Sequence, residues 1–226
     1  MLELIKKGAV PSLHVKLIFF LGLAALILLT FGIIYLYGAG LLPVEEADVY
    51  SSITLSLIFP TSVFAYLTYK GKSMGTIFSE LGISRDRLNK MAVQTGVSIF
   101  IFILLIEIVL SILSQVFGIS IPSTNVNQLL AGTPLFFLFF GVFITPFNEE
   151  IFFRGFLVPR FGVVSPALLF SLLHLGYGSS TEFAGALLFG LLAGHYFKKT
   201  KSLYATMIPH LLINLITIGS IVLAGG

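Results

Sequence analysis

Two adjacent glutamates interrupt an apolar stretch that reads Pro134-Leu-Phe-Phe-Leu-Phe-Phe-Gly-Val-Phe-Ile-Thr-Pro-Phe-Asn-Glu-Glu-Ile-Phe-Phe-Arg154. The stretch has about the length of a membrane-spanning helix, which needs roughly 20 mostly apolar residues. A charged side chain at the centre of a bilayer costs roughly 2.5–3.5 kcal/mol on insertion scales, so an ionisable residue there is by default a functional-site hypothesis. Glu149 and Glu150 therefore indicate a spanning helix that also carries a site.

The composition of the whole chain is typical of a polytopic membrane protein. Of its 226 residues, 57% are hydrophobic and only 10% are charged, whereas soluble domains contain about 25% charged residues. The chain has no cysteine, which excludes disulfides, a thiolate zinc site and a cysteine nucleophile. The basic residues form short juxtamembrane clusters and no basic domain, so we expect no nucleic-acid partner.

The apolar pattern predicts an all-α fold, a polytopic transmembrane bundle of about seven to eight helices. The predicted spans are 15–37, 50–70, 91–117, 134–158, 164–177, 182–198 and 202–223, of which the fifth is short. A short interfacial helix is expected within 73–90. The chain shows no internal repeat and no linker, so residues 1–226 are predicted to form a single integral membrane domain.

Lysines and arginines occur in every second loop. They lie before the first span, between the second and third, at the end of the fourth, and between the sixth and seventh. Because Lys and Arg favour cytoplasmic loops, the amino terminus is predicted to be cytoplasmic. The first apolar run is longer than the core of a signal peptide, about 7–15 residues, and is expected to be a retained helix.

Three ionisable side chains are predicted to lie at similar depth from the basic ends of their helices. At a rise of about 1.5 Å per residue, Glu149 lies about 16 Å, His174 about 15 Å and His210 about 12 Å from those ends. We expect these residues to share a polar cavity that opens toward the cytoplasm. Glu107, in the third span, lies nearer the opposite face and is expected to be structural or pore-lining.

Helical spacing divides the two glutamates between two roles. Residues four apart are neighbours on a helix, so Glu150 and Arg154 are predicted to form an ion pair. Glu149 points about 100° away and is expected to face the cavity without that partner. The same spacing places Phe170 beside His174 on one helix face.

The cavity residues suit amide hydrolysis by an activated water molecule. Glu149 would act as the general base, and His174 would orient the water or carry its proton. His210 and Asn214, also four apart, would donate hydrogen bonds to an oxyanion.

Other uses of these residues stay open. Glu149, His174 and His210 would also make an open three-ligand zinc site, although no HExxH motif is present. We expect no cofactor, with zinc as the alternative. A non-proteolytic binding or scaffold protein, with an immunity or partner-stabilising role, would use the same polar cavity. A proton-coupled carrier is the third option, but the repeats or paired broken helices of many carriers are missing.

Three motifs on separate predicted spans resemble the CAAX prenyl protease / bacteriocin-processing family, also called the Abi or type II CAAX endopeptidase family. The family pattern is EExxxR, then FxxxH, then HxxxN or HxxxD. The matching segments are Glu149-Glu150-Ile-Phe-Phe-Arg154, Phe170-Ser-Leu-Leu-His174 and His210-Leu-Leu-Ile-Asn214. The resemblance covers about residues 134–216, which we take as the catalytic core.

The resemblance implies an intramembrane endopeptidase in which Glu149 activates water with His174, while His210 and Asn214 form the oxyanion hole. It leaves Glu150, Arg154 and Phe170 as supporting residues. The family activity removes the last three residues of a prenylated CAAX protein at the cytoplasmic face. The implied partners are the lipid bilayer and a prenylated or other membrane-associated peptide or protein. The expected location is the plasma membrane of a prokaryote.

One departure from the family leaves the substrate class open. Eukaryotic-type members often carry an asparagine four residues after the second-motif histidine, and this chain has Gly178 there. Prokaryotic relatives often act on other substrates.

Overall fold

A computed structural model describes residues 12–118, 135–177 and 180–223, and within them the chain is helical with no strand. The predicted all-α fold is therefore confirmed. We number eight helices in the described residues. They are α1 (Leu13–Gly38), α2 (Val44–Tyr69), α3 (Met74–Glu80), α4 (Lys90–Val116), α5 (five consecutive segments from Leu135 to Phe161), α6 (Val164–Leu173), α7 (Ser180–Thr200) and α8 (Tyr204–Leu223).

Each of the seven predicted spans corresponds to one of these helices. Four helical stretches in the described ranges are long and apolar enough to cross a bilayer, and they are Leu13–Gly38, Val49–Tyr69, Lys90–Val116 and Phe136–Phe161. Two further apolar helices, Val164–Leu173 and Tyr204–Ser220, are shorter. The fifth stretch is short as predicted, because α6 ends at Leu173 and continues as a 3₁₀ turn over His174–Tyr177.

Helix α5 departs twice from α-helical geometry. Segments Phe140–Ile144 and Ile151–Leu157 are π-helical, and between them lies the α-helical segment Thr145–Glu150. Pro146 stands at the start of that middle segment and supplies no backbone N–H to the helix. Short π-helical segments within α-helices are rare and occur frequently at functional sites.

Helix α5 lies at the centre of the bundle. It contacts α2, α6, α7 and α8, while α1 packs on α2 and α4 packs on α8. A buried cluster that includes Phe59, Phe153, Phe170 and Phe189 joins α2, α5, α6 and α7. The outer surface of α1 is exposed and apolar, which suits contact with lipid.

Close approach between helices depends on glycine at two interfaces. A Cβ on Gly190 of α7 would lie 3.0 Å from the Cβ of Ala167 on α6, and a Cβ on Gly96 of α4 would lie 2.9 Å from the Cβ of Ile208 on α8. Small residues at such interfaces are typical of membrane helix bundles, because they let backbones approach closely.

The short helix predicted within 73–90 is present as α3, and its interfacial position stays a prediction. The turn that follows α3 packs against the start of α8. Gly82 ends α3 with φ of +75°, in the left-handed region that favours glycine. Its carbonyl accepts a hydrogen bond from the backbone N–H of Leu203 at 3.0 Å. The hydroxyl of Tyr204 donates to the carbonyl of Ile83 at 2.7 Å.

Charged residues from separate loops meet at this end of the bundle. Glu80 of α3 pairs with Lys72 and with Arg160 at the end of α5, whose Nη2 lies 2.8 Å from Oε1 of Glu80. Arg160 also lies over the ring of Phe156, 4.0 Å from its centroid. Partial burial acts to raise the pKa of Glu80, but the hydrogen bonds and charges of Lys72 and Arg160 lower it overall.

We expect Glu80→Gln to lower the melting temperature at pH 7 by about 2 °C, since an ion pair of this partial exposure contributes up to about 1 kcal/mol. Because the pKa of Glu80 is lowered by folding, its stabilisation is full above the ordinary value of 4.5. It is lost as the pH falls through the lower folded-state pKa. Thermal unfolding followed by circular dichroism in detergent from pH 7 to pH 3 measures both effects.

The matched control is Asp86→Asn, because Asp86 lies on the same face with a side chain that is 74% exposed. That variant is expected to unfold within about 1 °C of the wild type. If Glu80→Gln lowers the melting temperature as much at pH 3 as at pH 7, ionised Glu80 does not stabilise the fold through Lys72 and Arg160.

Candidate active site

The three motifs come together where α5, α6 and α8 meet. Glu149, Glu150 and Arg154 lie on α5, Phe170 and His174 on α6 and the turn after it, and His210 and Asn214 on α8. The side chains of Glu149 and His210 face each other, and the common membrane depth of Glu149, His174 and His210 stays a prediction. Gly178 lies outside the described residues.

The predicted ion pair between Glu150 and Arg154 is confirmed. Nη1 of Arg154 lies 2.8 Å from Oε1 of Glu150, and the two side chains are 1% and 0% exposed. The guanidinium also lies over the rings of Phe170 and Phe189, with its Cζ 4.3 Å and 4.8 Å from their centroids. Cation–π contacts of this kind attract a cation that has lost its water. The aromatic residues therefore enclose the charge and help to hold it.

His210 lies between the two glutamates. Its Nδ1 is 2.9 Å from Oε1 of Glu150, and its Nε2 is 3.6 Å from Oε2 of Glu149. Because an ionised carboxylate only accepts hydrogen bonds, Nδ1 of His210 carries a proton and donates a hydrogen bond to Oε1 of Glu150. The other ring nitrogen is thereby directed at Glu149.

The two glutamates differ in exposure as the helical offset predicts. The side chain of Glu149 is 16% exposed, whereas that of Glu150 is fully buried. Glu150 contacts both Arg154 and His210. Glu149 contacts His210, at a longer distance, and does not pair with Arg154. Glu149 is therefore the more exposed of the two carboxylates.

His174 begins the 3₁₀ turn after α6 and is anchored to its own helix. Its Nδ1 lies 2.9 Å from the carbonyl oxygen of Phe170, and its ring centroid lies 4.5 Å from that of Phe170. Since a carbonyl oxygen can only accept, Nδ1 carries the proton, and in the neutral ring Nε2 keeps its lone pair.

Asn214 reaches back from α8 to α5. Its Nδ2 donates a hydrogen bond to the carbonyl oxygen of Gly141 at 3.1 Å. The contact was not predicted from the sequence, because helical spacing shows which residues share a face of one helix and says nothing of contacts between helices.

Asn148 is a further polar residue that the sequence reasoning passed over. Its side chain is buried, and its Nδ2 donates to the hydroxyl of Ser56 on α2 at 3.1 Å. An uncharged polar residue next to Glu149, within the same apolar stretch, could have indicated a polar contact between helices. The contact fixes the rotation of α5 against α2 beside the site.

The structure does not bring together the alternative zinc ligands. In the described ranges, no group of three or more His, Asp or Glu side chains is placed to hold a metal ion. The ring nitrogens of His210 face the two glutamates, and Nδ1 of His174 faces a carbonyl oxygen. The arrangement thus does not fit the three-ligand site that Glu149, His174 and His210 would form, and the expectation that no cofactor is needed stays a prediction.

Glu107 lies apart from this site. It lines a small cleft between α4 and α8 together with residues that include Phe100, Ile213 and Thr217. This placement agrees with the structural or pore-lining role expected for it.

The fold and the site define an integral membrane helical protein in which buried Glu150, Arg154 and His210 lie beside the partly exposed Glu149. Residues 131–216 match the model of the family described as Rce1-like, the type II CAAX prenyl endopeptidases. The match contains all three motifs, so the resemblance found in them is confirmed. It supports a protease of the CAAX type, with a membrane-associated peptide or protein as substrate. No curated protein and no solved structure matches the chain.

We expect Arg154→Leu to destabilise the protein by about 3–5 kcal/mol, because it leaves the carboxylate of Glu150 buried without its cation. Glu150→Gln in the same chain removes that charge, so the double variant should recover a large part of the loss. Thermal unfolding of both single variants and the double variant measures the coupling. Strictly additive losses would contradict the description of the two residues as a buried pair.

Proposed function

We propose that the protein is an intramembrane endopeptidase that hydrolyses a peptide bond with water activated by Glu149. The observation that carries the proposal is the pairing of the two glutamates with His210. Glu150 is neutralised by Arg154 and orients the ring, while Glu149, 16% exposed, faces the other ring nitrogen. A base that is not itself tied to arginine is what water activation requires.

In the proposed reaction, Glu149 takes a proton from water as the water oxygen attacks the carbonyl carbon of the substrate. His174 accepts a hydrogen bond from the same water and orients it. Collapse of the tetrahedral intermediate breaks the carbon–nitrogen bond, and the proton held by Glu149 passes to the leaving amine. Water is the only other reactant, and no metal or organic cofactor takes part.

His210 and Asn214 are proposed to stabilise the oxyanion. Nδ1–H of His210 remains held by Glu150, so Nε2 must also carry a proton to act as the donor. Asn214 supplies an amide N–H from the next turn of α8. Both residues are held by contacts to α5, so the donors are in place before the substrate arrives and need little reorganisation.

The proposed substrate is a CAAX-type or related membrane-associated peptide or protein, cleaved at a site open to the cytoplasm. The family match supports the substrate class. The gathering of Lys72, Arg160 and the turn after α3 at one end of the bundle supports the orientation, since basic residues favour the cytoplasmic side. The proposed location is the plasma membrane of a prokaryote.

We expect Glu149→Gln to reduce cleavage of a quenched fluorescent farnesylated CAAX peptide on the order of 100-fold or more, because the amide cannot take the proton of water. The melting temperature should stay within a few degrees of the wild type, since Glu149 is not part of the Glu150–Arg154 pair. Cleavage by the wild type should persist in a strong chelator.

Glu107→Gln is the matched control, because Glu107 is also a carboxylate on a spanning helix but lies outside the site. It should cleave at the wild-type rate. Full activity of Glu149→Gln would rule Glu149 out as the base, and loss of wild-type activity in chelator would contradict the metal-free mechanism. A folded wild type that cleaves no peptide would favour a binding or scaffold role.

A further inference from the structure

The hydrogen-bond ladder of α5 is interrupted near Gly141. At the end of the first π-helical segment, the N–H of Thr145 bonds to the carbonyl of Phe140, five residues earlier. The next residue, Pro146, would bond to Gly141 in the same register, but proline has no N–H to donate. The carbonyl of Gly141 is thus left without the donor that the helix would otherwise give it.

Asn214 supplies a donor to that carbonyl. Its Nδ2 lies 3.1 Å from the carbonyl oxygen of Gly141, in a partly buried contact. Helix α8 runs close to α5 here, because a Cβ on Gly141 would lie 3.5 Å from Cδ1 of Ile218, one turn beyond Asn214. The contact is therefore a defined junction between the two helices.

We propose that Pro146 and the carbonyl of Gly141 position the amide of Asn214 for catalysis. The amide group is planar and has two N–H donors. When one N–H is fixed on Gly141, the direction of the other is fixed as well, and this second N–H is the one that would meet the oxyanion. The inference rests on the proposed function in taking Asn214 as an oxyanion donor, and it adds Pro146 and Gly141 as positioning residues.

Replacing Pro146 by alanine tests the proposal while Asn214 is kept. If the π-helical register persists, the new N–H bonds to Gly141, and if the segment relaxes to an α-helix, the N–H of Thr145 does so. In either register Gly141 gains a backbone donor that competes with Asn214. The amide of Asn214 should then lose its fixed orientation.

The first readout is stability, which does not depend on any catalytic activity. We expect Asn214→Ala to lower the melting temperature of the wild type by about 2–4 °C, because the carbonyl of Gly141 loses its partner. In the Pro146→Ala background the same change should cost roughly half as much or less. Pro159→Ala is the matched background, since Pro159 is on the exposed side of the same helix, and there the cost should be undiminished.

The second readout is the cleavage of the farnesylated CAAX peptide. Pro146→Ala should lower kcat by about tenfold or more with little change in KM, because a donor that acts on the transition state is displaced. Adding Asn214→Ala to Pro146→Ala should lower kcat little further. Pro159→Ala should keep the wild-type kcat.

An equal loss of stability from Asn214→Ala in all three backgrounds would overturn the proposed junction. A Pro146→Ala protein with wild-type kcat would overturn the positioning role, and it does so even if Asn214→Ala does not fold. If the folded wild type cleaves no peptide, the proposed function fails, while the stability comparison still decides whether Pro146 and Asn214 are coupled through Gly141.

Discussion

The buried ion pair of Glu150 and Arg154 is the interaction on which the rest of the site depends. A single charge left alone in such a place costs several kcal/mol, so each residue requires the other and both require surroundings that complete their contacts. The rings of Phe170 and Phe189 lie over the guanidinium of Arg154. His210 donates a hydrogen bond to one oxygen of the Glu150 carboxylate. The pair thereby ties α6, α7 and α8 to α5.

Two adjacent carboxylates acquire different properties because the helix turns about 100° between them. Glu150 is fully buried and is committed to Arg154 and His210, whereas Glu149 keeps a partly exposed side chain near the second nitrogen of the same ring. In the proposed mechanism Glu150 holds Arg154 and His210 in place, and Glu149 activates the water molecule.

Helical periodicity predicts relations within a helix well and relations between helices poorly. The ion pair of Glu150 and Arg154 follows from a spacing of four, and the spans follow from apolar length. The contact of His210 with Glu150 and that of Asn214 with Gly141 depend on how α8 lies against α5, which no spacing shows. The π-helical segments were also not predicted, because proline signals an interruption of a helix without specifying how the backbone accommodates it.

The central claim is that Glu150 holds Nδ1 of His210, so that Nε2 faces Glu149. Nitrogen-15 NMR of the protein labelled at its four histidines tests this directly, with the resonances of His210 identified by their loss in His210→Asn. We predict a proton on Nδ1 of His210, hydrogen-bonded to a carboxylate. A neutral ring protonated on Nε2, with a bare Nδ1, would contradict it.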